Sequence, residues 1–316
     1  MMSSESKPLI SIIIPTYKRH KEQVELAVLS ALNQSYENIE VIIIDDNASM
    51  ENANFREEIK EMVKRLNDKK IKCIFNENNL GGALSRNVGV DNSNGKYISF
   101  LDDDDVYLPK KIEHQYLHMI QHSLDVSITD LYIYNNENKI IDIRKFDLKS
   151  FDNKSLKKYH LTKQLVGTPR FLFKRDVLTD IGGFDDAIMG QEWFLIDKII
   201  NKNKYKFGYI PICDIKVYRT KGESISNSLN KLIGEKKIYE TKMKYSSILN
   251  WKERRYLRFR HYVIVCVAYK RNHRFLQFIL YAFMVVTHFP LNIIKEIIHT
   301  ISVKKSCKKL NKNLLN

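Results

Sequence analysis

The sequence predicts an α/β fold, a mostly parallel sheet with helices on both faces, followed by a helical, basic C-terminal region. Three observations predict it. Short apolar runs, "LISIII", "EVIII", "IKCIF" and "YISFL", alternate with segments of helical spacing through the first third of the chain, the pattern of repeated βαβ units. Polar clusters, "TYKRH", "DDNAS" and "DDDD", follow three of these runs, and ligands of parallel sheets bind at the carboxyl ends of strands. Beyond about residue 220 the alternation stops, and basic, aromatic and apolar residues take over.

Residues 9–14 are almost wholly apolar and are followed by Pro15, so they read as a strand buried on both faces. Residues 22–32 have helical spacing, residues 40–44 form the second strand, and a charged helix covers about 52–66. The third strand, 71–75, leads through "NNLGG" into a helix over 83–90. The fourth, 97–101, ends in Asp102, Asp103, Asp104 and Asp105; Val106, Tyr107 and Leu108 follow, and Pro109 suits the first turn of a helix over 109–121. A strand is expected over 125–134, and the polar stretch 135–158 reads as an excursion or flexible loop. Strands over 169–173, 205–212 and 215–218, a short helix after Asp176 and a helix over 191–200 complete the α/β part.

Residues 229–249 then read as a basic helix, and "WKERRYLRFR" interleaves aromatics with arginines. Residues 262–268 and 275–289 are apolar. The second run is short of the roughly 20 residues a bilayer span needs. Interfacial or re-entrant helices are therefore expected, with a helical lid packed on the domain as the alternative.

At 316 residues with 44% hydrophobic composition, the chain suits one large domain or two modest ones. Cys73, Cys213, Cys266 and Cys307 are far apart, which indicates neither a zinc site nor a disulfide framework. Residues 1–8 hold no apolar run that could act as a signal peptide, so a reducing, cytoplasmic setting is expected. Residues 251–316 contain fourteen Lys and Arg against two acids, so they supply +12 of the net charge of +15. Such asymmetry points to a polyanionic partner, an anionic membrane or a nucleic acid.

Four adjacent carboxylates at the end of a buried strand raise one another's pKa unless positive charge sits among them. A hard divalent cation, Mg²⁺ or Mn²⁺, held by one or two carboxylates and by substrate phosphates, would supply it. A solvated acidic loop is the alternative.

In order, "SIIIPTYKR", "VIIIDDNAS", "NNLGGALSRNVG", "FLDDDDVYLP" and "GGFDD…GQEW" resemble the motifs of family 2 glycosyltransferases of the GT-A fold, over residues 11–218. The resemblance implies a Rossmann-like sheet and a catalytic domain over residues 1–220, with a nucleotide-sugar-binding half at 9–110 and an acceptor half at 111–220. Residues 221–316 would be the helical, basic, membrane-associating region. It implies a nucleotide-sugar donor, a UDP-sugar before others, with Mn²⁺ or Mg²⁺ and inversion at the anomeric carbon. Pro15, Thr16 and Tyr17 would line the nucleotide pocket, Tyr17 against the uracil face. Asp46 would accept from the base N–H, with Asp45 its neighbour, and Arg86 would lie near the base and diphosphate. Asp104 would be the direct metal ligand. Asp102 would face the ribose or a metal-bound water, and Asp103 lies between them.

The family's catalytic base is the second acid of an "ED" pair at a helix start. Here the pair is Gln191-Glu192, so Glu192 stands one methylene longer than the usual Asp, and Gln191 departs from the pattern. An ordinary first-turn acid is the other reading of Glu192. Asp185 and Asp186 are the next candidates for the base. Trp193 is open between an acceptor-stacking ring and core. Lys174 and Arg175 are open between phosphate contacts and solvated charges. Arg219 and Lys221 could reach the diphosphate when a loop closes.

The expected activity is transfer of a sugar to a hydroxyl of a lipid-linked oligosaccharide or similar glycan, in assembly of a bacterial polysaccharide such as a capsule or exopolysaccharide. The enzyme would sit peripherally on the inner face of the cell membrane, through residues 251–316. Sugar transfer to polyprenyl phosphate is the alternative enzyme reading. Readings of another class are a nucleic-acid-binding protein, disfavoured by the apolar runs in the tail, so no nucleic-acid partner is expected, and a scaffold, disfavoured by the crowded carboxylates, which unused would only cost stability. Self-association is left open.

Overall fold

The computed structural model describes residues 7–187, 189–219 and 230–315. Its first half is the expected alternation: β1 (Ile10–Thr16), α1 (Lys21–Leu32), β2 (Ile39–Asp45), α2 (Ala53–Leu66), β3 (Ile71–Phe75), α3 (Gly81–Asp91) and β4 (Tyr97–Phe100). These four strands are parallel, with β1 between β2 and β4 and with β3 beyond β2. Successive side chains enter different cores. Ile12, Ile14, Val41 and Ile43 pack with Val24 and Ala27 of α1, whereas Ile13, Ile42 and Ile44 pack with Ala83 and Val90 of α3. A strand covered on both faces has no polar side, which is why these runs read as continuous apolar stretches.

The second half is β5 (Val106–Tyr107), α4 (Lys111–Gln121), β6 (Val126–Tyr134), β7 (Ile140–Arg144), α5 (Asn153–Thr162), β8 (Phe171–Lys174), α6 (Arg175–Asp180), α7 (Gln191–Asn201) and β9 (Phe207–Tyr218). Strand order is β3-β2-β1-β4-β8-β6-β9-β5, with β7 paired to β6. Pairs β4–β8, β6–β8, β6–β7 and β5–β9 are antiparallel and β6–β9 is parallel, so this half of the sheet is mixed. It is also curled. In a flat sheet β5 would lie about 19 Å from β4, four strand spacings away. Instead the Tyr107 hydroxyl is 2.9 Å from Ser99 Oγ of β4 and donates to Phe100 O at 2.6 Å. The parallel half is therefore Rossmann-like, and the mixed half closes back toward it.

Several boundaries differ from the sequence reading. Val106 and Tyr107, given no element from the sequence, are a strand on β9, and α4 begins at Lys111, two residues after the expected Pro109. The stretch 135–158 is not a loop but contains β7 and most of α5. Its polarity misleads because the inner face of α5 carries Lys157 and His160 beside Leu156 and Leu161. Pro169 lies in a 3-10 turn, Thr168–Arg170, so β8 starts at Phe171. The two strands expected over 205–218 are one, β9, with a register shift opposite Asp130.

The C-terminal region is α8 (Asn230–Lys244), α9 (Trp251–Arg271), α10 (Phe275–His288) and α11 (Pro290–Leu315). Helix α9 opens on a capping box: Glu253 N donates to Asn250 Oδ1 at 2.9 Å and Asn250 N to Glu253 Oε2 at 2.7 Å. It absorbs the apolar run 262–268 that stood apart in the sequence reading. Ile238, Leu249 and Leu257 of this region join Leu161 and Trp193 in one buried cluster, so α8 and α9 pack on α5 and α7.

Candidate active site

The carboxyl ends of β1, β2 and β4 converge on a cavity of about 400 Å³. Pro15, Thr16, Tyr17, Asp46, Arg86, Asp102, Asp103 and Asp104 all line it, with Arg19, Asn79, Gly81, Gly82 and Ser85. Parallel register delivers the first of these, since Thr16 stands beside Asp45 at the ends of β1 and β2. Tyr17 leaves its ring 43% exposed at the mouth.

Asp45 and Asp46 divide their work. Asp45 is fully buried and turned from the cavity; Arg56 Nε donates to it at 2.8 Å and Asn47 Nδ2 at 3.0 Å. Asp46 lines the cavity and gathers the loop before α3: Asn76 Nδ2 at 2.7 Å, Asn79 Nδ2 at 3.0 Å, Leu80 N at 2.9 Å and Gly81 N at 2.8 Å all donate to its carboxylate. Four donors fill the acceptor positions of an ionised carboxylate, and two of them lie at the start of α3, where the helix dipole favours negative charge.

The acidic run is interleaved with two arginines. Arg86 Nη2 donates to Asp102 at 2.6 Å, and its Nη1 to Gly82 O at 3.0 Å. Arg19 spans Asp103 at 3.2 Å and Asp104 at 2.9 Å. Arg19 belongs to the "TYKRH" cluster, but nothing local in the sequence couples it to acids more than eighty residues away. Asp103 is raised by burial and by Asp102 against the pull of Arg19. Asp104 is raised to about 6 by burial and by Asp103, with Arg19 offsetting part. Asp105 points elsewhere, accepting from Tyr218 N at 3.2 Å, and burial pushes it well above the carboxylate range.

Among the described residues no three His, Cys, Asp or Glu side chains converge as a self-sufficient metal site. What the cavity offers is one or two aspartates, Asp104 and Asp102, with negative charge that Arg19 cancels only in part. That donor set suits a hard cation which takes most of its ligands from water and phosphate oxygens.

Glu192 sits in the first turn of α7, entered through Gly190 in the left-handed region at φ +78°. Thr168 Oγ1 donates to one carboxylate oxygen at 3.0 Å and Gly167 N to the other at 3.3 Å. Burial raises the Glu192 carboxyl, Asp102 adds to it, and Arg86, Thr168 and Gly167 work against it. A cradle of this kind holds a carboxylate in one orientation while leaving it basic. Neither Thr168 nor Gly167 carries a sequence signal for that role.

Glu192 is not one of the residues lining the cavity, though Asp102 and Arg86, which are, act on its carboxyl; the remaining candidates also fall outside it. Trp193 is core, buried and stacked on His160 with ring centroids 4.7 Å apart. Asp185 pairs with Lys198 at 2.7 Å, and Asp186 does not line the cavity. Lys174 pairs with Asp125 at 2.7 Å, and Arg175 donates to Gly95 O, Val90 O and Ser93 Oγ, so both are structural. Arg219 extends the β6 pairing through its backbone, donating to Tyr134 O at 3.0 Å. Lys221 lies outside the described residues.

The profile described as "Glycosyl transferase family 2" matches residues 11–182, which hold β1 to β4, the acidic run, Arg86 and the Thr168 side of the cradle. The chain belongs to glycosyltransferase family 2. The uncharacterized glycosyltransferase MJ1057 of Methanocaldococcus jannaschii is 31% identical over 210 residues, 66% of this chain and 70% of that protein. The UDP-Glc:alpha-D-GlcNAc-diphosphoundecaprenol beta-1,3-glucosyltransferase WfgD of Escherichia coli is 32% identical over 128 residues, 40% of this chain and 47% of that one. Among solved structures, TarS 1–349 of S. aureus in complex with UDP-GlcNAc superposes with a TM-score of 0.55 at 15% identity, over 87% of this chain and 72% of that one. That likeness concerns the fold. As a member of the family, this glycosyltransferase moves a sugar from a nucleotide-sugar donor to an acceptor.

Proposed function

We propose that the enzyme is an inverting, metal-assisted transferase that moves a sugar from a UDP-sugar to a hydroxyl of a lipid-linked saccharide at the inner face of a bacterial membrane. The observation that carries this reading is the convergence of Tyr17, Asp46, Arg86 and the 102–104 acids on one cavity, with Glu192 cradled close enough for Asp102 and Arg86 to act on its carboxyl. UDP as carrier and a lipid diphosphate as acceptor are supported by the activity of WfgD, a glucosyltransferase acting between UDP-Glc and alpha-D-GlcNAc-diphosphoundecaprenol.

In this reading Tyr17 offers its exposed ring to the base. Asp46 either exchanges one of its four donors for the base N–H or holds the pocket wall through them. Arg86 and Arg19 bring positive charge to the diphosphate. Asp104 and Asp102 would hold Mn²⁺ or Mg²⁺, which offsets charge developing on the leaving β-phosphate. Glu192 removes the acceptor proton, the acceptor oxygen bonds to the anomeric carbon, and the bond from that carbon to the diphosphate breaks. One attack inverts the centre and needs no protein nucleophile.

A panel of nucleotide-sugars with Mn²⁺, scored by transfer or hydrolysis and by protection against thermal unfolding, tests donor choice. Asp104→Asn should abolish turnover at an unchanged melting temperature. Full activity in that variant would overturn the role given to the acidic run.

A further inference from the structure

Helices α10 and α11 meet at 96°, and no single helix among the described residues is long and apolar enough to cross a membrane. Helix α10, fourteen residues long, spans about 21 Å, against about 30 Å of hydrocarbon. Both helices nonetheless present apolar side chains outward. On α10 these are Leu276, 82% exposed, Ile279 and Phe283; on α11 they are Leu291, Ile294 and Ile298. Their spacing lines one stripe on each helix.

At the elbow between the two stripes is a cavity of about 400 Å³ lined by Trp251, Arg254, Arg255, Arg258, His288 and Phe289. Arg255 is committed to the elbow: it donates to His288 O, which ends α10, and lies over the Trp251 and Phe289 rings at 5.7 and 5.5 Å. Arg254 and Arg258, one turn apart on α9, are exposed. Among the described residues none of the three arginines pairs with a carboxylate. Positive charge at the rim of an apolar shelf, with a tryptophan beside it, matches the layering of a bilayer surface, phosphate above acyl chains.

We propose that this elbow binds the phosphate headgroup of an anionic phospholipid, with Arg254 and Arg258 as the anion contacts and Arg255 as the positioning residue. The α10 and α11 stripes then rest in the acyl boundary, and the protein lies on the membrane without crossing it. The inference deepens the membrane-facing part of the proposed function and rests on it.

The test is flotation of the full chain with vesicles of phosphatidylcholine alone or of phosphatidylcholine with phosphatidylglycerol, with single-stranded RNA and inorganic phosphate as competitors. The expected result is capture by the anionic vesicles only, weakened by high salt. Arg254→Glu with Arg258→Glu should lower the captured fraction about tenfold or more, and Leu276→Glu with Phe283→Glu should lower it as well. Those side chains are exposed, so unchanged melting curves separate lost binding from misfolding. Equal capture by neutral vesicles, unchanged capture of the arginine variant, or full displacement by RNA or by inorganic phosphate would each overturn the proposal. Nucleotide-sugar hydrolysis is read on the same samples. Its absence in the wild type counts against the catalytic reading, while the flotation result decides the headgroup site separately.

Discussion

At the scale of single residues, the cradle around Glu192 makes a claim about pH. Burial and Asp102 raise this carboxyl, so it holds its proton at a pH where an ordinary glutamate has lost it. In the proposed role of Glu192, only the carboxylate would accept the acceptor's proton. The rate should therefore be full above the raised pKa and fall as pH drops through it. Glu192→Gln should cost about 10²- to 10⁴-fold in kcat and erase this acid limb. Thr168→Val removes the donor at 3.0 Å that favours the charged form, so the limb should move to higher pH with donor KM unchanged. A Thr168→Val profile that overlays the wild type would deny the cradle that role. Of the cavity lining, Asp102, Asp103, Asp104 and Arg86 were legible in the sequence, because each sits in a local pattern; Glu192 was picked out by the same kind of pattern, and its role as base is what the pH profile tests. Arg19, Gly167 and Thr168 were not legible, because they reach the site only through folding of distant segments.

At the scale of elements, what was legible followed the simplicity of the burial. Strands β1, β2 and β4 are buried on both faces and, with the edge strand β3, stood out within a residue or two. Helix α5 was invisible because it buries charge: Lys157 Nζ donates to Asp197 at 2.6 Å and to Asn201 at 2.7 Å, and lies 3.7 Å from the Tyr245 ring centroid. His160 is likewise inside, 3.0 Å from Trp193 O. Strand β5 escaped because two residues make no pattern. The charged seam between α5 and α7 predicts its own mutational signature. Asp197→Ala leaves a buried ammonium without its carboxylate and should destabilise by about 3–5 kcal/mol. Lys157→Met combined with Asp197→Leu, which removes both charges, should recover most of that. Urea unfolding measures both, and a single variant no less stable than the pair would show that the seam contributes little.

At the scale of the whole molecule, the question is whether the basic tail is an appendage or is fastened to the transferase. It is held in two places. Ile238 and Leu257 close over Trp193 on one side. On the other, Val303, Cys307 and Leu310 of α11 pack against Tyr134 and Ile140. The last contact also solves an edge problem. Among the described residues strand β7 pairs only with β6, so its outer backbone would be open to another chain. Asn311 covers it as a neighbouring strand would: its Nδ2 donates to Ile140 O and its Oδ1 accepts from Ile140 N, both at 2.9 Å. A tail clasped this way fixes the angle between the α10–α11 stripes and the active-site cavity, so membrane contact would orient the cavity and not merely raise local concentration. Asn311→Ala should cost about 1–3 kcal/mol, the range for leaving buried backbone groups unpaired. It should also speed amide exchange at Ile140 while leaving the Trp193 cluster protected. Exchange at Ile140 as slow as in the wild type would mean that the clasp is not what holds α11 to the sheet, and the fixed orientation would lose its structural basis.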